Sequence, residues 1–521
     1  MDNIAGKIML SAGIRRYFLA ILAGIIGSFS MPSGDFLMAA FVSFTLLVWL
    51  LDGISSIRGR AVSINGVGSS FLVGWLFGVG YFLTGFWWIR AGIIELTSTF
   101  LPFWGGVLFF VSFPIFLAIF YGIATSIASL LWSEGMGRIC IFACAFGLCE
   151  WLRSFLGAST WNAIGYAAMP IPIMMQSVHW IGLFGMNALS VFCFASPALF
   201  GTRRDVKIGM TISSVLLVLH IAYGVWIIAE DSKPSLHFSQ KWPVVRIVQP
   251  GVNPIVKESD ENILGRYLSL TALPVSAGEA ETSVIIWAGL APPFSIVNQP
   301  KILKRIASTL KEKQILIFGS IWKDLSVRED CFYRLVYVID SKGSILTSSN
   351  ATHLFPFAEY LPYRNIFKKL HFDFSLFPKD YVVSQSSSVL VLSEKLRFYP
   401  LIFSDVFFRQ DINKNVESAN AILNIIDDSW FMNNKRGFDQ SFRYAQIQAV
   451  EIGLPLIRVA NNGISAFLDK RGRIISSLQV GRSASIDMYF QPNVQNKFHY
   501  EIQMIIFWII ELILLMLAII A

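Results

Sequence analysis

Two residues in the less apolar half of this 521-residue chain are candidate nucleophiles, Cys331 and Ser404. Cys331 is the last of five cysteines, and residues 332–521 contain none. A packing role is the simpler interpretation of this single thiol. Ser404, which lies beside Asp405, is a conceivable nucleophile. However, it follows Phe403 in a predicted strand, where neighbouring side chains point to opposite faces, so Ser404 is not expected to share a site with Phe403.

The composition indicates a membrane protein. Hydrophobic residues make up 54% of the chain and charged residues only 15%, so a soluble fold would expose large apolar patches. The net charge of +8 does not indicate a nucleic-acid partner, because many basic residues lie beside apolar runs. Four cysteines lie inside those runs, so the sequence predicts neither a disulfide framework nor a metal site, and it implies no cofactor.

Apolar runs predict about eight transmembrane helices. These runs lie near Tyr17–Ser30, Phe36–Leu51, Phe71–Ile89, Phe109–Trp132, Ile139–Phe155, Ile173–Phe200, Ile208–Ala229 and Ile502–Ala521. Basic residues occupy every second connection, which the positive-inside rule places in the cytoplasm. They are Arg15, Arg16, Arg58, Arg60, Arg138, Arg203, Arg204 and Lys207. Seven crossings would carry the following polar region to the opposite side.

The pattern divides the chain into a bundle of about seven helices over residues 1–231, an extramembrane domain over 232–500 and a last transmembrane helix over 501–521. In the middle part, short β-branched runs alternate with helical segments near 257–270, 299–313 and 437–452. Such alternation, with turns at Lys342–Gly343 and Arg471–Gly472, predicts one layered α/β domain.

Ordered motifs then connect the chain to a known family. The loop His353-Leu-Phe-Pro-Phe-Ala-Glu359 follows a strand that ends at Asp340 and a turn, Asn424 begins a segment N-I-I-D-D-S-W-F, and IGLPLIRVANNGIS occupies 452–465. Glu150-Trp-Leu-Arg153 lies in the apolar half, ahead of Trp161 and Gly165-Tyr166. Together they resemble the apolipoprotein N-acyltransferases, the membrane-bound branch of the nitrilase superfamily. The resemblance implies an α-β-β-α sandwich on the periplasmic side of a bacterial inner membrane.

The resemblance also implies an activity. In the family, a cysteine thiolate takes an acyl chain from phospholipid and passes it to the α-amine of a diacylated lipoprotein, with a Glu base and a Lys cation. The three positions hold Gly289 for Glu, Ala351 for Lys and Phe403 for Cys. The sequence therefore predicts a member with impaired or absent catalysis. The alternatives are a non-catalytic protein that binds phospholipid or lipoprotein, and a membrane scaffold.

Other residues could still line a pocket. By the same resemblance these are Glu359, Ser404, Asp405 and Trp430. Pocket electrostatics and a plain loop carboxylate are both open for Glu359, as are pocket lining and core packing for Trp430. Further departures from the family pattern are Asp427 for Asn, Ser441 for His and Gln448 for Arg.

Overall fold

The structure, a computed structural model, describes most of the chain. The described residues are 2–55, 64–98, 103–156, 159–231, 242–253, 256, 258–275, 282–290, 299–324, 331–354, 359–360, 369, 381–382, 389–408, 414–428, 431–493 and 500–520. They form two compact units. The first comprises Met1–Arg90, Phe103–Ser232 and His499–Ala521, and the second comprises Ala91–Pro102 and Lys233–Phe498.

The α-helices, numbered along the chain, account for most of the first unit. They are α1 Asp2–Met9, α2 Ile14–Ser28, α3 Leu37–Ser55, α4 Ile64–Gly85, α5 Arg90–Thr97, α6 Phe103–Leu130, α7 Met136–Phe155, α8 Pro172–Met175, α9 Val178–Ala195, α10 Leu199–Thr202, α11 Val206–Glu230, α12 Asp260–Thr271, α13 Pro300–Ala307, α14 Lys435–Ile452 and α15 Tyr500–Ile520. Helices α12 to α14, and all of α5 except Arg90, belong to the second unit.

Within the described residues, six helical segments are long and apolar enough to cross a membrane. They are Leu37–Ser55, Gly66–Gly85, Phe103–Leu130, Val178–Thr202, Val206–Glu230 and Tyr500–Ile520. The other two predicted spans correspond to α2, which has only 15 residues, and α7, which carries Arg138, Glu150 and Arg153. The membrane-helix character of this unit is thus confirmed, whereas the number of eight crossings stays a prediction.

A buried ion pair lies at the end of α7 in the helical unit. The Arg153 guanidinium lies 2.6 Å from Glu150 and donates to the carbonyl oxygens of Ser159 and Trp161 at 2.9 and 3.0 Å. Glu150 also accepts from the Tyr121 hydroxyl at 2.8 Å. The motif Glu150-Trp-Leu-Arg153 therefore ties the end of α7 to the loop that follows it.

The second unit contains two six-stranded sheets, as the sequence predicts for a layered α/β domain. Its strands are β1 Val244–Gln249, β2 Thr282–Leu290, β3 Ile315–Asp324, β4 Cys331–Asp340, β5 Ile345–Asn350, β6 Leu390–Ser393, β7 Leu396–Ile402, β8 Ala421–Ile426, β9 Leu456–Ala460, β10 Ser465–Leu468, β11 Ile474–Leu478 and β12 Ala484–Tyr489. The strand orders are β12-β1-β2-β3-β4-β5 and β11-β10-β9-β8-β7-β6. Strands β1, β2 and β3 are parallel within the first sheet, and strands β7, β8 and β9 are parallel within the second.

Side chains along each strand contribute alternately to two apolar layers, because successive side chains point to opposite faces of the sheet. On β2, Val284, Ile286 and Ala288 join a cluster that also takes residues from β7, β8 and β9, so this cluster is the core between the sheets. Ile285 and Trp287 join a second cluster with side chains of α12 and α13 on the outer face. Helix α14 packs on the other sheet, where Ser441 accepts from Arg458 of β9 at 2.8 Å. The predicted α-β-β-α sandwich is confirmed.

Candidate active site

The chain makes a sharp elbow directly after β7. The strand ends at Ile402, and Phe403–Phe407 form a 3-10 turn rather than the strand continuation that the sequence predicts. Phe403 has φ of +52°, a backbone region that bulky L-residues rarely adopt. Such a conformation persists only where surrounding contacts enforce it, and it concentrates at functional sites. The elbow therefore combines a rarely adopted backbone conformation with the buried side chain of a core residue.

Contacts through Gly319 and Arg334 connect the three positions assigned to the triad. A Cβ placed on Gly319 of β3 would meet the carbonyl oxygen of Gly289 and would lie 3.3 Å from Cζ of Phe403. Ala351 follows β5, and its N–H donates to the carbonyl oxygen of Arg334 on β4 at 2.9 Å. The guanidinium of Arg334 in turn lies 4.9 Å from the centre of the Phe403 ring. The structure thus brings Gly289, Ala351 and Phe403 together.

Arg334 is a cation at this site that the sequence analysis missed. Its guanidinium lies 4.4 Å from the ring centre of Tyr381, with Phe403 as a second aromatic contact, and it forms an ion pair with Glu359. Burial is the largest single influence and lowers the pKa of Arg334, but the negative groups around it, Glu359 first, together outweigh burial, so the net pKa lies above its ordinary value. The signal in the sequence was a single arginine within the apolar run of β4. Glu359 therefore neutralises a buried cation.

Asp405 joins two segments of the site. One carboxylate oxygen accepts from the backbone N–H groups of Thr352 and His353 at 3.2 and 2.8 Å, and the other accepts from Ile402 at 2.9 Å. Burial raises the pKa of Asp405 to about 6, although these hydrogen bonds oppose the rise. Asp405 is consequently a positioning residue, which fixes the loop after Ala351 against the elbow that carries Phe403.

Gly289 has an unusual backbone and a polar surrounding. Its φ is +58°, where a side chain would be strained. A Cβ added here would lie 3.4 Å from Cβ of Asn461 and 3.5 Å from Cβ of Asp427, which is ordinary contact. The neighbouring Asp428 is fully buried and accepts from the Asn462 N–H at 3.0 Å. Burial raises the pKa of Asp428 to about 6.

Four other residues singled out in the sequence have separate outcomes. Trp430 and the side chains of Ser404 and Cys331 lie outside what the structure describes. Gln448 donates to the carbonyl oxygen of Val406 at 3.0 Å, so α14 supports the elbow turn from outside the sheet.

The side chains at the elbow and at position 351 are apolar and buried. Phe403 and Ala351 are each only 3% exposed and belong to the apolar core between the sheets. A phenyl ring offers neither a lone pair nor a proton for acyl transfer. Among the residues that the structure describes, no group of three or more His, Cys, Asp and Glu side chains could hold a metal ion.

Two family models match separate parts of the chain. Residues 245–487 match the carbon-nitrogen hydrolase family, and residues 23–196 match the apolipoprotein N-acyltransferase N-terminal domain. The chain is thus a carbon-nitrogen hydrolase fold joined to a helical membrane unit. The solved structure of an amidase from Nesterenkonia sp. is 15% identical to this chain. The match spans 49% of this chain and 94% of the amidase, with a TM-score of 0.33.

Full-length relatives decide the family. The apolipoprotein N-acyltransferase of Allorhizobium ampelinum is 40% identical over 531 residues, covering 100% of this chain and 98% of the relative. That of Rhizobium rhizogenes is 40% identical over 529 residues, with the same coverage. The chain belongs to the apolipoprotein N-acyltransferase family, which confirms the family predicted from the motifs.

Proposed function

We propose that this chain is a non-catalytic member of the family, which binds phospholipid or diacylated lipoprotein without transferring an acyl chain. The observation that carries the proposal is Phe403, a buried phenyl ring at the elbow where the family places its thiol. Because residues 332–521 contain no cysteine, no neighbouring position in this part of the chain supplies a substitute thiol.

The three triad positions differ from the buried residues around them, and this difference supports the proposal. All three positions assigned to the triad hold residues without reactive groups: Gly289, Ala351 and Phe403. The supporting contacts are well formed: Arg458 donates to Asn424 at 2.6 Å, and burial lowers its pKa to about 10. These networks keep the domain folded around the altered positions, since a buried polar network is costly when incomplete.

The same proposal includes a location. We place the chain in a bacterial inner membrane as a multi-pass protein, with the carbon-nitrogen hydrolase domain in the periplasm. The arginines at Arg58, Arg138 and Arg204 support this orientation by the positive-inside rule. Reporter fusions after Ala229 are expected to be active in the periplasm and fusions at Arg204 in the cytoplasm. The reverse result would mean that a predicted span does not cross.

Binding without turnover is the test of the function. Full-length protein in lipid nanodiscs should bind a fluorescent diacylated lipopeptide saturably, and unlabelled lipopeptide should compete. Mass spectrometry of the recovered lipopeptide should find it still diacylated. In cells, lipoprotein N-termini should carry the same acyl groups with and without this gene. A triacylated product, or a loss of N-acylation on deletion, would contradict the proposal, and absence of saturable binding would favour the scaffold alternative.

A further inference from the structure

We propose that Glu511 is a proton-binding site inside the helical unit, where its carboxyl holds one exchangeable proton at neutral pH. The residue lies near the middle of α15, a helix long and apolar enough to cross a membrane. It is the only ionisable residue in 502–521. The inference goes beyond the proposed function and does not depend on it, because it concerns the helical unit and none of the positions around the elbow.

The first argument is that the carboxyl is buried without a matching group. Glu511 is only 4% exposed. Both carboxyl oxygens are buried, and neither has a hydrogen-bond partner among the residues that the structure describes. The thiol of Cys144 on α7 lies beside Glu511, but it donates at 3.8 Å to the backbone carbonyl oxygen of that residue. A thiol is a weak donor, so it does not replace the hydrogen bonds to water that a buried carboxyl loses.

The second argument is that the neighbouring helices leave space for this carboxyl. Helix α15 packs against α7 and α9. On α7, a Cβ placed on Gly147 would collide with Oε1 of Glu511, and it would lie 2.9 Å from Cβ of Ala188 on α9. Any side chain at position 147 would therefore displace the carboxyl. The Glu511 side chain thus points into the interface between the three helices, at a place where the facing residues are small.

The third argument concerns the ionisable groups on the two neighbouring helices. On α7, Arg153 pairs with Glu150 at 2.6 Å, and Arg138 lies 3.2 Å from Asp52 of α3. The other basic residue of these helices is His179, at the start of α9. The remaining ionisable side chains are thiols: Cys140, Cys144, Cys149 and Cys193. An ionised carboxylate in this interface would lack a cation, and an unpaired buried charge is so costly that the group takes up a proton instead.

The chemistry of the site favours a proton over a metal ion. Ionisable residues inside membrane helices are costly, and they mark proton or ion sites. A metal cation such as Ca²⁺ needs several oxygen ligands. Among the described residues, however, no group of three or more His, Cys, Asp and Glu side chains could hold a metal ion. A proton needs one carboxyl alone, which Glu511 supplies.

The test is infrared spectroscopy of the full-length protein, which separates the C=O stretch of a carboxylic acid from the bands of carboxylates. The protein is measured at neutral pH in a detergent without ester groups, both unlabelled and with ¹³C-labelled glutamate. The unaltered chain should show a carboxylic-acid band that shifts with the label. This band should be missing from Glu511→Gln and present in the control Glu134→Gln, which alters an exposed partner of Arg204. It should be equal in sodium and choline chloride, and it should disappear reversibly as base is added.

Thermal unfolding gives a second readout. A buried polar group without a partner lowers stability, so the apolar variant Glu511→Met should raise Tm by roughly 2–5 °C while the band disappears. A lower Tm for this variant would mean that the carboxyl is a packing element. Absence of a labelled band from the unaltered chain would mean that Glu511 is ionised, and loss of the band in sodium alone would indicate a metal-cation site. Each of these three results would overturn the proposal and leave the proposed function intact.

Discussion

Purified protein supplied with phospholipid and a diacylated lipopeptide is expected to form no acyl-enzyme and to acylate at least about 10⁴-fold more slowly than a family member with an intact triad, the loss seen when single members of catalytic triads are removed. The reason is chemical: the nucleophile position holds Phe403, and the acid and lysine positions hold Gly289 and Ala351. Intact-protein mass spectrometry would detect an acyl adduct, and a family member verified to carry the Glu, Lys and Cys triad is the matched positive control. Robust turnover by the unaltered chain would instead direct the search to another nucleophile, with Ser404 first.

Restoration variants sharpen this expectation. Phe403→Cys would place a thiol near the Arg334 guanidinium, but Glu359 already pairs with that cation and the position is buried. We therefore expect this variant not to turn over, because no Glu base lies at 289 to ionise the thiol. The triple variant Gly289→Glu, Ala351→Lys, Phe403→Cys is the minimum with a route to activity. Its gain should be limited, because a glutamate at φ of +58° carries a strain of about 1–2 kcal/mol.

Asp405→Ala is expected to lower the stability of the second unit by about 2–4 kcal/mol, because the buried carboxylate is the acceptor for several backbone N–H groups and each one left unsatisfied costs about 1–3 kcal/mol. The groups affected belong to Thr352, His353 and Ile402. For a unit of this size the loss corresponds to a fall in Tm of roughly 5–10 °C. Fluorescence-monitored thermal unfolding of the full-length protein in detergent would measure it.

Two variants serve as controls for Asp405. Asp405→Asn keeps one acceptor oxygen for the loop N–H groups, so it should lose less stability than Asp405→Ala. Asp439→Ala removes a surface ion pair with Lys435, which is worth less than about 1 kcal/mol. If Asp405→Ala unfolded at the same temperature as Asp439→Ala, Asp405 would not hold the elbow in place.

Some properties of this protein follow from short stretches of sequence. Apolar runs such as Leu37–Ser55 are recognisable because a span must be long and continuously apolar. The layered domain is recognisable because strand and helix periods differ, and the hairpin at Lys342–Gly343 follows from its turn residues. The absence of a thiol after Cys331 is a statement about composition alone. These features need no knowledge of which distant segments meet.

Only the tertiary structure decided which residues surround positions 289, 351 and 403. Arg334 and Glu359 are 25 residues apart, and Gly289 meets Asp427 from a different sheet, so neither contact is visible in a local pattern. The positive φ of Phe403 is likewise imposed by its surroundings, since phenylalanine has no preference for that conformation. The sequence therefore determined which reactive groups are missing, whereas long-range packing of the two sheets determined which charged and aromatic groups occupy their place.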